Sequence, residues 1–173
     1  MKEMVVRTRQ SFPCPANAIW SLLCNSRMDG TSKLLFRLGV PQPVQCRVTD
    51  GHGGVGSERE CVSDQGVVHQ RILEWVPNQR LSFRMERTDM NFQKFVREIG
   101  DTFDIVPTGV GVVVTRTTRV STIGRFQVFR RIGLFLGLKQ VHRYVFQNWR
   151  RLAPQGAPST DSLENASPTV PPS

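Results

Sequence analysis

Three histidines and a set of charges set within apolar runs are the residues able to do chemistry in this chain of 173 residues. His52 lies in a glycine-rich turn and is expected at the surface. His69 lies mid-strand with Gln70 and Arg71 after it, so at least one of those three must face inward or an edge. His142 stands one residue after Val141, at the margin of a helical apolar stripe. There it contacts a ligand, acts as a general acid or, the preferred reading, is a histidine satisfied within its own helix. No Ser-His-Asp, Cys-His or paired-carboxylate motif has recognisable local context. Cys14, Cys24, Cys46 and Cys61 form no CxxC pair and no Cys/His cluster with metal spacing, so neither a metal nor a cofactor is expected. Their scatter suggests reduced thiols in the cytoplasm.

The charges fall in segments with strand periodicity: Glu58, Glu60, Arg71, Glu74, Arg84, Glu86, Arg97, Glu98, Asp101, Asp104, Arg116 and Arg119. Most are expected to pair across strands on a solvated face. A charge facing an apolar interior would instead orient a polar head or polarise a carbonyl, because such interactions strengthen where water is excluded. Arg97, Asp101 and Arg116, on the longest strands, are the candidates.

Those residues need a sheet and a cover. Met4 to Phe12 alternates with period two and predicts a strand. Pro15 suits the first turn of a helix over Pro15–Cys24, and a second short helix is expected over Met28–Leu38, stopped by Gly39 and Pro41. Strands are then expected at Val44–Thr49, Val55–Ser63, Val67–Trp75, Arg80–Arg87, Phe92–Ile105 and Val110–Thr122. The turns between them are short, so neighbours should pair antiparallel. A sheet apolar on one face needs one cover, and the run Arg125–Leu152 is long enough. Leu134, Leu138, Val141, Val145, Trp149 and Leu152 share one helical face there, opposite Lys139, Gln140, Arg143, Gln147, Arg150 and Arg151. Its first half, Phe126 to Leu136, is apolar nearly all round, which suggests that it covers a cavity or meets something apolar outside.

Net charge is +9. The segment after Leu152 holds two acids and no base, so residues 1–152 carry +11. That favours acidic partners without choosing among them. One Tyr, no RNA-binding aromatic run and no helix-turn-helix pattern argue against nucleic acid. The first twenty residues are no signal peptide and no run reaches transmembrane length. Residues 153–173 are rich in Pro, Ser, Ala and Thr without an aromatic residue, and are expected to be a disordered tail.

Three runs carry a resemblance. Pro15-Ala-Asn-Ala-Ile-Trp-Ser-Leu-Leu23 looks like the opening helix of the START-like superfamily, also called SRPBCC or polyketide cyclase/dehydrase-like. Val55-Gly-Ser-Glu-Arg59 is similar to its glycine-then-strand run. Arg71-Ile-Leu-Glu-Trp-Val-Pro-Asn-Gln-Arg-Leu-Ser-Phe83 is similar to its acidic–apolar–Asp-Pro…Arg-Leu pattern, with Val76 in place of the Asp. The resemblance spans residues 3–152. It implies an α+β helix-grip: a seven-stranded antiparallel sheet curled around a long C-terminal helix, with two short helices after the first strand. It also implies a cavity for an apolar molecule, since members of the superfamily bind lipids, sterols or polyketides.

The expected molecule is therefore one ligand-binding domain, 1–152, followed by the tail. It takes a hydrophobic or amphipathic small molecule between sheet and helix, with Phe83, Met85, Arg97, Asp101, Arg116, Leu138, Val141, His142 and Val145 as candidate contacts. The alternative is an enzyme, an aromatase/cyclase or dehydratase working on a polyketide-like substrate in the same cavity. Arg125, Arg130 and Arg131 beside the apolar helix start suit an anionic membrane surface. The expected setting is cytoplasmic with peripheral membrane contact.

Overall fold

Alternating apolar and polar residues build strand β1 (Glu3–Phe12) in the computed structural model, which describes residues 3–28, 36, 39–123 and 127–153. Met4, Val6 and Phe12 are buried on its inner face. Pro15 then supplies an extended N-cap for helix α1 (Ala16–Cys24), whose Ile19 and Leu23 are fully enclosed. Seven further strands follow: β2 (Asn25–Arg27), β3 (Pro43–Val48), β4 (Glu58–Ser63), β5 (Gly66–Val76), β6 (Arg80–Thr88), β7 (Val96–Thr108) and β8 (Gly111–Thr122). Helix α2 (Gln127–Leu152) closes the fold.

All strand pairs are antiparallel, in the order β1-β8-β7-β6-β5-β4-β3-β2. Among the described residues the sheet has eight strands where seven are expected. The extra one is the three-residue β2, which pairs Asn25 with Arg47 at the edge and is too short to show a period in sequence. The expected strand Phe92–Ile105 is interrupted: Asn91–Lys94 forms a 3₁₀ turn and β7 begins at Val96. Most of the expected helix 28–38, and the residues after Ala153, lie outside the described residues.

Local chemistry explains the hairpins. Between β5 and β6, Pro77 and Asn78 form a turn closed by Gln79 N–H donating to Val76 O at 3.0 Å, with Asn78 at φ 63°. Proline at the second position and a left-handed residue at the third are what a type II turn requires. In the Asp50–Gly54 turn, Asp50 Oδ1 accepts the N–H groups of His52 (3.2 Å) and Gly53 (2.9 Å). A Cβ on Gly53 would lie 2.2 Å from the Trp75 ring, so glycine alone lets this turn rest on the tryptophan. Register shifts in β3, β5 and β7 bend their strands, and bulges of this kind increase local twist and curl a sheet.

The curled sheet wraps the second half of α2. Tyr144, Val145, Phe146, Asn148 and Trp149 are all buried, covering far more than one stripe of the helix. Phe146 meets Phe12 edge-on at 5.8 Å and Tyr144 meets Phe36 at 5.0 Å. The buried part of the second half is wider than the expected stripe, while in the first half, expected to cover a cavity or meet something apolar outside, Ile132, Phe135 and Leu136 are exposed, and so is Leu152, at the end of the stripe. Phe126, Val128 and Phe129 lie outside the side chains described. No helix among the described residues is long and apolar enough to cross a membrane.

Candidate functional site

Between the concave face of the sheet and α2 lies a cavity of about 410 Å³. That volume is within the range of roughly 300–1,000 Å³ typical of small-molecule sites. The helix contributes Leu134, Leu138, Val141, Val145 and Trp149, and the sheet answers with Phe83, Val96, Ile99 and Phe103. The helical spacing of the first set keeps it on one face, and on β7 the register shift between Val96 and Glu98 puts Val96 on the same side as Ile99 and Phe103. Phe92, Phe95 and Ile123 line the end near the 3₁₀ turn.

Two enclosed polar groups interrupt this lining, besides Ser63, Thr122 and Arg131. The first is built on β7 and β8, whose register sets Asp101 opposite Thr118 and Phe103 opposite Arg116. Arg116 donates to Asp101 through Nε at 3.0 Å and Nη2 at 3.1 Å, and its guanidinium lies 5.1 Å from the Phe103 ring. Burial works against the Asp101 carboxylate, but the charge and twin hydrogen bonds of Arg116 outweigh it, and its pKa stays below the ordinary value. Thr118 Oγ1 donates to Asp101 Oδ1.

That donation places a proton on His142 Nε2. The Thr118 hydroxyl has one hydrogen, so its contact with His142 Nε2 at 2.7 Å must be donated by the ring. His142 Nδ1 then accepts from Thr8 Oγ1 at 3.0 Å, and Lys139 Nζ donates to Thr8 Oγ1 at 3.4 Å. One neutral imidazole satisfies every link from Lys139 to Asp101. Burial, then the charge of Arg116, push the His142 pKa down to about 3, which keeps the ring neutral.

The second polar group is Arg59 on β4, 4% exposed. Glu58 and Glu60 on either side face outward, where Glu58 Oε1 meets His69 Nδ1 at 2.5 Å and Glu60 meets Arg47 at 3.5 Å. Arg59 therefore faces in. Nη1 donates to Gln70 Oε1 at 2.6 Å and lies 2.8 Å from Cys61 Sγ, and Nη2 donates to the Leu23 carbonyl at 3.3 Å. Its guanidinium stacks 4.5 Å from the Phe83 ring. Nε has no acceptor. Burial, then the charge of Arg116, lower its pKa to about 10, so it remains a cation at neutral pH.

Of the nine candidate contacts, Phe83, Asp101, Arg116, Leu138, Val141 and Val145 line the cavity together. Three do not. His142 is fully buried, one helical step round from Val141, and turns to β1 and β8 rather than to the cavity. Met85 packs beside Met4, Val6, Val96 and Val120. Arg97 is exposed, because Val96 takes the inward position at the register shift that opens β7. Arg59 and Gln70 are absent from the candidates, although period two from the outward Glu58 and Glu60 points Arg59 inward.

The cysteines also differ from expectation. Cys46 and Cys61 face each other in the β3–β4 register with Cα atoms 4.1 Å apart and are joined as a disulfide; Cys14 and Cys24 are free. Fifteen residues separate the pair, so strand register and not sequence spacing brings them together. Both line the cavity. Among the described residues no cluster of His, Cys, Asp or Glu could hold a metal ion.

A curled antiparallel sheet gripping a long C-terminal helix over an apolar cavity defines the helix-grip class. The chain has the START-like fold. It is similar to a START superfamily protein from Mycobacterium smegmatis, at 12% identity over 87% of this chain and 97% of the other, with a TM-score of 0.60. Ara h 8.0201 shares 12% identity over 88% of this chain and 98% of its own, with a TM-score of 0.61. Major latex-like protein 151 from Panax ginseng shares 11% over 84% and 97%, with a TM-score of 0.57. No family model matches the sequence, and no curated protein is significantly similar to it.

Proposed function

We propose that the chain binds a hydrophobic or amphipathic small molecule between its sheet and α2. The observation that carries this reading is the cavity itself: about 410 Å³, walled mostly by Leu, Val, Ile, Phe and Trp, with its most enclosed polar groups at Asp101–Arg116 and Arg59–Gln70. Apolar walls supply affinity and a few fixed polar groups supply orientation. The inward polar chain is the feature that would favour a cyclase or dehydratase. Its only titratable ring, His142, is neutral and turned from the cavity, and Asp101 is held as a carboxylate by Arg116. Binding without chemistry is therefore the reading adopted.

A titration with a neutral apolar fluorescent dye tests it. Val141→Arg should weaken dye binding by at least about tenfold, because it places an unpaired charge in a dry site. Leu138→Trp, which fills the space with apolar volume, should do the same. Dye binding unchanged in a folded Val141→Arg or Leu138→Trp protein would remove the cavity from the functional reading.

The finer part of the proposal is that the ligand passes at a membrane surface. The exposed Ile132, Phe135 and Leu136 flank Gly133 and Leu134, which line the cavity, so an apolar patch adjoins it there.

A further inference from the structure

The cavity contains more positive charge than its own residues neutralise. Among the described residues its lining holds Arg59, Arg116 and Arg131 against a single acid, Asp101. Arg116 spends Nε and Nη2 on that acid. Arg131 donates to the Glu3 backbone carbonyl at 3.4 Å. Arg59 is the deepest of the three, and every acceptor it meets is neutral: an amide oxygen, a disulfide sulfur and a backbone carbonyl. Among the described residues its Nε–H meets none.

A guanidinium enclosed without an anion in hydrogen-bond contact is costly, since burial removes its hydration, and neutral acceptors and the more distant charge of Asp101 return only part of it. Stacking on Phe83 offsets some of that cost. Gln70 adds a second donor. Its oxygen is committed to Arg59, which fixes the amide orientation and leaves its NH₂ group at the cavity wall. Arg59 and Gln70 thus form a donor pair on the wall of an apolar space.

We infer that the ligand of this cavity is a single-chain amphipath with an anionic head, a carboxylate or a phosphate, seated on Arg59 and Gln70 with its chain along Phe83, Leu138 and Val141. The inference rests on the cavity reading above and adds the charge of the occupant. Charge-assisted hydrogen bonds to a guanidinium are the strong ones in an enclosed site. The disulfide helps to keep the seat open: oxidised, Cys61 brings no thiolate to neutralise Arg59.

Competition against the neutral dye, with the full chain, separates the possibilities. Dodecanoic acid, dodecyl phosphate and dodecanol share one chain and differ in head. The acid, the phosphate or both should bind about tenfold or more tighter than the alcohol, and whichever does identifies the head. Arg59→Gln should bring the three ligands to equal affinity within that variant, and Arg59→Lys should keep part of the preference. Gln70→Leu, which leaves the cation in place, should reduce it and serves if Arg59→Gln does not fold. Equal binding of all three would overturn the anionic head and leave the cavity reading intact. A preference that survives Arg59→Gln would overturn the seat, and absence of dye binding to the wild type would defeat the cavity reading itself.

Discussion

At the scale of single residues, His142 makes the fold sensitive to acid. Unfolded, its ring takes a proton near its ordinary value of 6.5; folded, only near 3. Between those values the unfolded chain holds a proton that the native chain refuses, so stability falls as pH falls, by about 1.4 kcal/mol per pH unit. Asp101 acts in the same sense lower down: its depressed pKa adds stability above the ordinary carboxylate value that is lost as it is protonated. Urea denaturation at pH 7 and pH 4.5 should show His142→Gln losing about 2.5 kcal/mol less than the wild type between the two. Equal losses would mean that the imidazole is not held neutral. Sequence reading reached Asp101, Arg116 and Val141 through strand length and helical phase. It passed over Arg59, because a basic residue between two glutamates looks like part of a solvated charge run until the outward face is assigned. It misplaced Arg97, because a register shift of one residue reverses which side chain faces in.

At the scale of elements, the β3–β4 disulfide closes a loop of fifteen residues. In the chain-entropy account a cross-link of that length stabilises by about 3 kcal/mol. Replacing Cys46 and Cys61 together by Ala should lower unfolding free energy by about that amount and make stability indifferent to reductant. Thiol titration of the denatured wild type should find two free cysteines, Cys14 and Cys24; four would remove the bond. This pairing was hidden from sequence, where a cysteine's partner depends on which strand lies beside it and in what register. The strands themselves were legible, because turns such as Pro77-Asn78 are written in local chemistry. The three-residue β2 was not, since its pairing with β3 comes from tertiary contact and no period can appear in so short a run. The helix was found in place, but which half is enclosed depends on the curl of the sheet.

At the scale of the whole molecule, a net charge of +9 accompanies the patch of Ile132, Phe135 and Leu136, with Arg131 beside it. Each basic residue close to an anionic bilayer contributes about 1 kcal/mol of attraction. The protein should sediment with vesicles containing anionic lipid, less well as salt rises and poorly with neutral vesicles. Phe135→Ser with Leu136→Ser should reduce sedimentation without altering the unfolding midpoint. Equal sedimentation with anionic and neutral vesicles, or none with either, would detach the patch from any membrane role. The strand order has a further consequence, in time. β1 lies at the sheet edge with β8 as its neighbour, pairing Glu3 with Ser121 and Phe12 with Val112. The ribosome makes β1 a hundred residues before the strand it bonds, an interval of roughly 5 to 20 s at ordinary elongation rates. Through that interval Met4, Val6 and Phe12 have neither their hydrogen-bonding neighbour nor the helix that covers them. The earliest strand to be synthesised is thus among the latest to be secured, and damage to β8 or α2 would be felt first at the opposite end of the chain.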